Sequence, residues 1–176
     1  MYIAIGLGNP GEEYEKTRHN TGRMFATEVL KSKVKSGKLK VLEPDTYMNH
    51  SGKFVAKVVK SKKAAQKLIV IYDDLDLPLG TMKVSFNRGS GGHRGLESII
   101  KALKTREFVR IRIGISPTTP TGKLKKPKTE KDVEKFILGE FKPAEMQVLK
   151  KVFKKATEAL EVIVVDGHYQ AMNSFN

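Results

Sequence analysis

The chain opens with MYIAIGLGNPGEEYEKTRHN (residues 1–20), an apolar run followed directly by a turn rich in glycine and polar side chains. Met1–Ile5 has the continuous apolar character of a buried strand. Helical periodicity begins only after Asn20, so three glycines, a proline, two asparagines and a histidine lie between a strand and a helix. Open α/β sheets place their sites at the ends of strands. We therefore expect the functional site to be built around this loop.

The glycines of this loop match the dinucleotide-binding pattern Gly6-x-Gly8-x-x-Gly11. In that motif the third glycine lies in a helix whose N-terminus faces a pyrophosphate. Here three acids, Glu12, Glu13 and Glu15, follow the glycines and would repel phosphate. The sequence therefore argues against a nucleotide cofactor, and we expect none. The loop is then either a plain strand-to-loop turn or a loop whose glycines allow the Asn9 side chain to face a cleft.

Composition narrows the class of protein. A chain of 176 residues forms one domain, which we expect to span 1–176. The absence of cysteine excludes thiol catalysis and thiolate metal sites, and it fits the reducing cytoplasm. No apolar run has the length of a membrane span, and no signal-like segment precedes the first strand, so we expect a cytoplasmic protein without a membrane partner.

The net charge of +14 is the strongest global signal. It predicts a polyanionic partner, with nucleic acid as the first candidate. A lysine-rich thermophilic surface is the alternative, but such surfaces pair lysine with glutamate. Here 33 basic residues face 19 acids, so we favour the nucleic-acid partner.

The remaining pattern alternates strands and helices. It predicts a helix over 21–33, capped by Asn20 or Thr21, and a strand buried on both faces over 68–72. It further predicts strands at 39–42, 81–86 and 109–115, the last half-buried, and helices along 54–59, 96–103, 133–138 and 143–167, with a mobile loop at 117–131. This order is typical of a single-domain α/β fold with a central twisted mixed β-sheet flanked by helices.

His19 is the candidate catalytic base. A lone histidine is more often structural, but Asp73 follows the buried strand 68–72 and could reach it. A carboxylate bonded to one ring nitrogen fixes the tautomer and raises the basicity of the other. No serine elbow and no cysteine supply a covalent nucleophile, so a water activated by His19 is the simplest chemistry. Alternatively, Asp73, Asp74 and Asp76 could bind a hard metal such as Mg²⁺, or simply form a turn.

Two further stretches hold candidate binding residues. Asn49 is a helix cap or an amide that grips a peptide-like substrate, and the cap is favoured from the stretch alone. The glycine-rich loop over 89–92, flanked by Arg88, His93 and Arg94, is a flexible connection or an anion cradle, and the positive charge favours the cradle. The lysines along 53–67 are either a solvated helix face or a surface for a phosphate backbone.

Taken together, the motifs resemble those of the bacterial-type peptidyl-tRNA hydrolases. The matching segments are GLGNPG at 6–11, Tyr14 with TRHN at 17–20, YMNxSG at 47–52, DDLDLPxG at 73–80, GSGGHxG at 89–95 and FILGxF at 136–141. The resemblance covers nearly the whole chain, and its specificity comes from the order and spacing of the set.

The resemblance implies a monomer with a peptidyl-tRNA hydrolase-like α/β fold, related to phosphorylase/hydrolase-like folds. It also implies metal-independent hydrolysis of the ester between a peptide and the 3′-terminal ribose of tRNA, with the acceptor stem and 3′ end as partner. His19 would activate water, Asp73 would orient His19, and Asn9 would polarise the ester carbonyl. The residues implied in binding substrate or tRNA are Tyr14, Met48, Asn49, Arg88, His93 and Arg94.

Two features depart from the resemblance. The family usually has asparagine after the glycine-loop histidine, whereas this chain has Arg94, which cannot accept a hydrogen bond. The segment between the first helix and Tyr47 is also short, so the resemblance does not determine the structure of the sheet edge near 34–44. Because of Arg94, a catalytically inactive, hydrolase-like RNA-binding protein stays the alternative function.

Overall fold

The computed structural model describes residues 1–32 and 37–176, which form one five-stranded sheet with helices on both faces. The predicted single-domain α/β fold with a central mixed sheet is confirmed. The strands are β1 Tyr2–Gly6, β2 Leu39–Leu42, β3 Leu68–Pro78, β4 Met82–Phe86 and β5 Val109–Ser116. The helices are α1 Thr21–Lys31, α2 Ser51–Val58, α3 Lys62–Ala65, α4 Arg94–Leu103, α5 Glu130–Ile137, α6 Pro143–Asp166 and α7 His168–Phe175.

The strand order is β2-β1-β3-β5-β4. The first four strands in this order pair in parallel, and β4 pairs antiparallel with β5. From β1 the chain passes through α1 to β2 on one side, and then returns to β3 on the other side of β1. Such a reversal opens a crevice at the carboxyl ends of the strands, where α/β proteins bind ligands. This crevice lies between the ends of β1 and β3.

Two apolar cores sandwich the sheet. One contains the inner faces of α1, α6 and α7, and the other contains those of α2 and α4. Since helices cover both faces, the apolar run at 68–72 is buried on both sides, as predicted. Among the described residues, no helix has both the length and the apolar character needed to cross a membrane.

Close packing, more than turn conformation, explains the glycines around the first loop. A Cβ atom on Gly6 would lie 2.1 Å from the carbonyl oxygen of Gly22, and one on Gly22 would lie 2.1 Å from that of Ile71. These two glycines let α1 approach β1 and β3 directly. Of the three glycines in the first loop, only Gly11 has a positive φ, 114°.

Several predicted boundaries differ from the structure. Helix α1 ends at Lys31 instead of 33, α5 begins at Glu130 instead of 133, and α7 was not predicted. Strand β3 continues through the acidic run to Pro78, because a register shift after Asp74 lets its pairing with β5 resume opposite Ser116. The interpretation of that run as a simple turn is therefore wrong.

Strand β5 is buried on both faces, so the prediction of a half-buried strand is wrong. Alternating arginines suggested a solvent face, but Arg110 and Arg112 are 0% and 6% exposed. The Arg110 guanidinium lies 4.3 Å from the centre of the Phe108 ring and donates to the Arg88 carbonyl, while Arg112 Nε donates to Asp74 at 2.7 Å. The Asp74 carboxylate thus takes the place of water for Arg112, while the Phe108 ring and one carbonyl do so for Arg110, whose Nε and Nη1 have no hydrogen-bond partner among the described residues.

The structure describes two connections whose form the sequence pattern did not define. In the short segment between α1 and Tyr47, β2 is an edge strand and pairs in parallel with β1. Residues 33–36, among them the last residue of the predicted helix 21–33, lie outside the described ranges. The segment 117–129 folds back on itself through a bridge between Thr118 and Leu124. Its mobility stays a prediction.

Candidate active site

His19 and Asp73 meet at the crevice between β1 and β3. His19 lies in a short 3-10 turn, Arg18–Asn20, directly before α1. Its Nδ1 is 3.0 Å from both carboxylate oxygens of Asp73, across a separation of 54 residues. Both side chains are buried, at 6% and 3% exposure for the residues. The structure brings together the two groups that the sequence proposed as partners.

The hydrogen bond decides the tautomer of His19. A buried carboxylate can only accept, so Nδ1 carries the proton and Nε2 keeps a free lone pair. Burial of the imidazole works to lower its pKa, but the negative charge and hydrogen bond of Asp73 outweigh burial and raise the pKa of His19 above its ordinary value. The cation of Arg94 opposes this rise. His19 is thus a neutral base of increased strength once the pH exceeds its pKa.

Asp73 also accepts a hydrogen bond from His93, whose Nε2 is 3.1 Å from Oδ1. Burial works to raise the pKa of Asp73, but the two histidines outweigh it and hold that pKa well below its usual range. The other ring nitrogen of His93, Nδ1, accepts the Leu96 N–H at 3.3 Å and so caps α4. His93 therefore joins the first turn of α4 to the carboxylate.

Asn9 is held from three sides. Its Oδ1 accepts the Met48 N–H at 2.8 Å, its own N–H donates to Asn20 Oδ1 at 2.8 Å, and its carbonyl accepts from Asn20 Nδ2 at 2.9 Å. Because Oδ1 is occupied, the Nδ2 group of Asn9 remains as a donor at the cleft. Asn20 or Thr21 was expected to cap α1. Asn20 does hold the N-cap position, but its side chain makes no capping hydrogen bond, because its amide is used by the Asn9 backbone.

Asn20 is the positioning residue that the sequence analysis missed. It is 1% exposed and pairs both its donor and its acceptor with the backbone of a residue eleven positions earlier. The sequence does show an asparagine directly after the candidate base. It does not show whether that amide caps the helix or hydrogen-bonds to the backbone of a residue in another segment.

The other predicted binding residues line the same cleft, which has a volume of about 1420 Å³. Met48 is buried and Tyr14 is half-buried, and the Tyr14 ring meets the Tyr47 ring edge-on at 6.5 Å. Asn49 is exposed, and neither its own turn nor α2 uses a side-chain cap, so the cap interpretation of Asn49 is wrong. The amide of Asn49 is left facing the cleft.

The glycine-rich loop forms the rim of the cleft beside α4. Arg88 is exposed there, with its carbonyl held by Arg110. Arg94 is exposed as well, and its Nη2 lies 3.1 Å from Glu130 Oε1 at the start of α5. An ion pair therefore crosses the mouth of the cleft at the position of the usual asparagine. The anion cradle predicted for this loop stays a prediction.

The opposite wall of the cleft consists of residues from the predicted loop 117–131 and the predicted helix 133–138, neither of which was assigned to the site. In the structure they belong to the folded-back segment, to α5 and to the residue after it, namely Thr119, Lys123–Lys128, Glu130, Val133, Glu134, Ile137 and Leu138. The cluster of lysines there was the available signal. Nothing local in the sequence shows that such a segment returns to the carboxyl ends of β1 and β3.

The acidic run within β3 is poorly suited to the alternative metal site. Asp74 Oδ2 binds Arg112, and Asp76 Oδ1 accepts from Lys126 at 2.6 Å, so both carboxylates already have cations. Among the described residues, the group of three potential ligands that lie close together is His19, Asp73 and His93, with ligand atoms within 4.8 Å of one another. His19 Nδ1 and His93 Nε2 each hydrogen-bond to the Asp73 carboxylate, which suits a catalytic histidine held by a carboxylate.

Comparisons with known proteins agree with the resemblance seen in the motifs. The family model described as Peptidyl-tRNA hydrolase matches residues 3–176. A peptidyl-tRNA hydrolase of Aquifex aeolicus is 43% identical over 176 residues, which cover 90% of this chain and 87% of the relative. One from Syntrophotalea carbinolica is 39% identical over 194 residues, which cover 100% of this chain and 97% of the relative.

A solved structure shows the same fold. The crystal structure of peptidyl-tRNA hydrolase from Acinetobacter baumannii superposes with a TM-score of 0.84 at 28% identity, covering 100% of this chain and 94% of that chain. The architecture expected from the motifs is therefore shared over the whole of this chain and 94% of the solved one.

Proposed function

This chain belongs to the peptidyl-tRNA hydrolase family, and we propose that its His19–Asp73 pair hydrolyses the ester between a peptide and the 3′-terminal ribose of tRNA. The observation that supports this assignment most strongly is the buried hydrogen bond from His19 Nδ1 to Asp73. It leaves Nε2 as a base at a cleft lined by amides and basic side chains. The products are free tRNA and the peptide.

His19 Nε2 removes a proton from water as the water oxygen attacks the ester carbonyl. Asp73 stabilises the imidazolium that forms, because its negative charge lies against Nδ1. The carbon–oxygen bond to the ribose then breaks, and the ribose oxygen takes a proton from His19 or from solvent. These reaction steps need no metal and no cofactor.

Asn9 is the donor best placed to stabilise the oxyanion. Its Oδ1 is fixed by the Met48 N–H, so its Nδ2 is oriented before the substrate arrives. Asn49, exposed at the same cleft, is free to bind the peptide portion of the substrate. Tyr14 and Met48 supply apolar surface near the 3′ end.

Asn9→Asp tests the oxyanion role. The aspartate retains an oxygen for the Met48 N–H, but it replaces the donating NH₂ with a second oxygen that repels the oxyanion. We expect kcat to fall about 10²- to 10³-fold, with little change in KM. The control is Asn173→Asp, which adds the same charge at an exposed position of α7. An unchanged kcat for Asn9→Asp would remove Asn9 from the mechanism.

The activity itself is tested by hydrolysis of an N-blocked aminoacyl-tRNA with and without a chelator. We expect rapid release of tRNA that the chelator does not slow. Activity lost with the chelator and restored by Mg²⁺ or Zn²⁺ would point to metal chemistry at His19, Asp73 and His93. A protein that bound tRNA without cleaving it would support the inactive RNA-binding alternative, which the assembled His19–Asp73 pair disfavours.

The acceptor stem is proposed to lie along α2 and α3. Along these two helices and the residues that follow each of them, six lysines are exposed and no acid lies among them in the sequence. They are Lys53, Lys57, Lys60, Lys62, Lys63 and Lys67. Helix α2 begins at Ser51, two residues after Asn49 of the cleft, so its exposed lysines continue from the site of ester cleavage. Such a surface binds phosphates without reading sequence.

Changing Lys53, Lys57 and Lys60 together to glutamine is expected to raise KM for tRNA substrates about tenfold and to leave kcat unchanged. The plot of log kcat/KM against log salt should also become less steep. The matched control changes Lys150, Lys151 and Lys154, which are exposed on α6 and belong to the other face of the sheet. If both triple variants showed the same salt dependence, the surface assignment would fail.

The proposal includes a monomer that acts in the cytoplasm, where peptidyl-tRNA arises. Light scattering with size exclusion measures the mass of the free protein, and a stable dimer would contradict the monomer.

A further inference from the structure

Arg18, the first residue of the 3-10 turn that holds His19, makes long-range contacts that the turn itself does not need. It is 9% exposed, and its side chain reaches 122 and 127 residues ahead in the sequence. Its Nη1 donates to the Glu140 carbonyl at 2.9 Å, and its Nη2 donates to both carboxylate oxygens of Glu145, at 3.3 and 3.0 Å. A planar guanidinium satisfies this arrangement, whereas a lysine amine does not.

Aromatic rings flank the same guanidinium. Its Cζ lies 4.6 Å from the centre of the Phe136 ring and 5.3 Å from that of Phe141. These phenylalanines are the first and last residues of the FILGxF motif, to which the catalytic proposal assigns no role. The motif therefore forms an aromatic site for the arginine that precedes the base.

Backbone hydrogen bonds join the same two segments. The Arg18 N–H donates to the Gly139 carbonyl at 3.0 Å, and the Phe141 N–H donates to the Lys16 carbonyl at 3.1 Å. A Cβ atom on Gly139 would lie 3.1 Å from Arg18 Nη1, so a larger residue there would crowd the guanidinium. The turn that holds His19 and the connection from α5 to α6 are thus one hydrogen-bonded unit.

Apart from Phe136 and Ile137, which pack against the core, helix α5 has few other anchors among the described residues. None of its eight residues is fully buried, and its ion pair to Arg94 through Glu130 is largely exposed. Exposed ion pairs contribute little to position, because solvent screens them. By contrast, the Arg18 side chain is only 10% exposed and lies against Phe136 near the end of α5, and α5 forms one wall of the substrate cleft.

We propose that Arg18 is a positioning residue that fixes the cleft wall formed by α5 relative to the turn that presents His19. The substrate then meets a base and a wall whose spacing is set by one buried guanidinium. This proposal rests on the proposed hydrolase function, since the spacing matters only if the cleft holds the ester.

The test is Arg18→Gln, measured by kinetics and by hydrogen exchange at 25 °C. We expect kcat/KM to fall about 10- to 100-fold through both a higher KM and a lower kcat, because displacing a substrate-binding wall disturbs the reacting geometry. Amides of residues 133–138 should exchange at least about tenfold faster, while those of β3 are unchanged. The acidic limb of the pH profile should stay in place, because the His19–Asp73 bond is retained.

Two variants separate the contributions to this positioning. Glu145→Gln removes the ion pair but retains an oxygen for the Lys142 N–H, so a smaller loss in the same direction is expected. Phe136→Leu removes one ring and keeps the test available if Arg18→Gln does not fold. The control is Glu43→Gln, which removes the Arg23 ion pair on α1 without contact to α5, and it should leave kinetics and exchange unchanged.

A wild-type kcat/KM in Arg18→Gln despite faster exchange in α5 would overturn the proposal, and so would lost activity with unchanged exchange. A pure loss of folding stability would lower the melting temperature but leave KM and kcat at 25 °C as they are in the wild type. If the wild-type protein did not cleave peptidyl-tRNA, the proposed function would fail, while the exchange data would still report whether Arg18 holds α5.

Discussion

His19→Ala is expected to lower kcat for peptidyl-tRNA hydrolysis about 10³- to 10⁴-fold, because it removes the group that takes the proton from the attacking water. The side chain is buried and forms no described hydrogen bond other than that to Asp73, so its loss leaves tRNA-binding surfaces intact. KM should therefore change little. Single-turnover hydrolysis measures the chemical step directly.

The matched control for this variant is His168→Gln. His168 lies at the start of α7 and stacks on Phe86 at 4.3 Å, away from the residues that line the cleft. It should retain wild-type kcat. Residual activity above about one tenth of wild type in His19→Ala would exclude His19 as the base, since a general base contributes at least about 10²-fold.

Asp73→Asn is expected to lower kcat about 10²- to 10³-fold without loss of the fold. Asparagine has the same shape, but it has no negative charge to stabilise the imidazolium. Its NH₂ can also donate to Nδ1, which would move the imidazole proton to Nε2 and leave the base in the wrong tautomer. The cost is smaller than for His19→Ala, because the imidazole itself remains in the cleft.

The pH profile of Asp73→Asn distinguishes this mechanism from general damage. In the wild type, burial lowers the pKa of His19 and Asp73 raises it by more, so kcat/KM declines as pH falls through a raised pKa. Without the carboxylate, burial remains and the pKa of His19 falls. The acidic limb of kcat/KM should therefore move to lower pH. A limb that moved to higher pH, or stayed in place, would contradict the assigned pairing.

The sequence specified the parts of the fold that depend on local pattern. The apolar run at 68–72 predicts a strand covered on both faces, and the structure buries it on both faces. The spacing of apolar residues also predicted α6 and its end near Gly167, where φ is 90°. Such features follow from periodicity and backbone sterics, which neighbouring residues determine.

Charged and amide side chains were predicted less well. The sequence pattern indicated that Arg110 and Arg112 face solvent and that the side chains of Asn20 and Asn49 cap helices. In each case the outcome depended on a partner far along the chain, or on the lack of one. The alternation of polar and apolar residues shows where the polar side chains are. It does not show whether water, an aromatic ring or a carboxylate will contact their hydrogen-bonding groups in the fold.

The sequence by itself determined the strands, most helix positions, the positive charge and the identity of the candidate catalytic groups. Only the tertiary structure decided that His19 and Asp73 lie 3.0 Å apart, that His93 shares the carboxylate and that α5 closes the cleft. The physical reason is the strand order. By placing β1 beside β3 in parallel, the sheet brings two carboxyl ends together, and the loops after them meet although 54 residues separate the base from its acid.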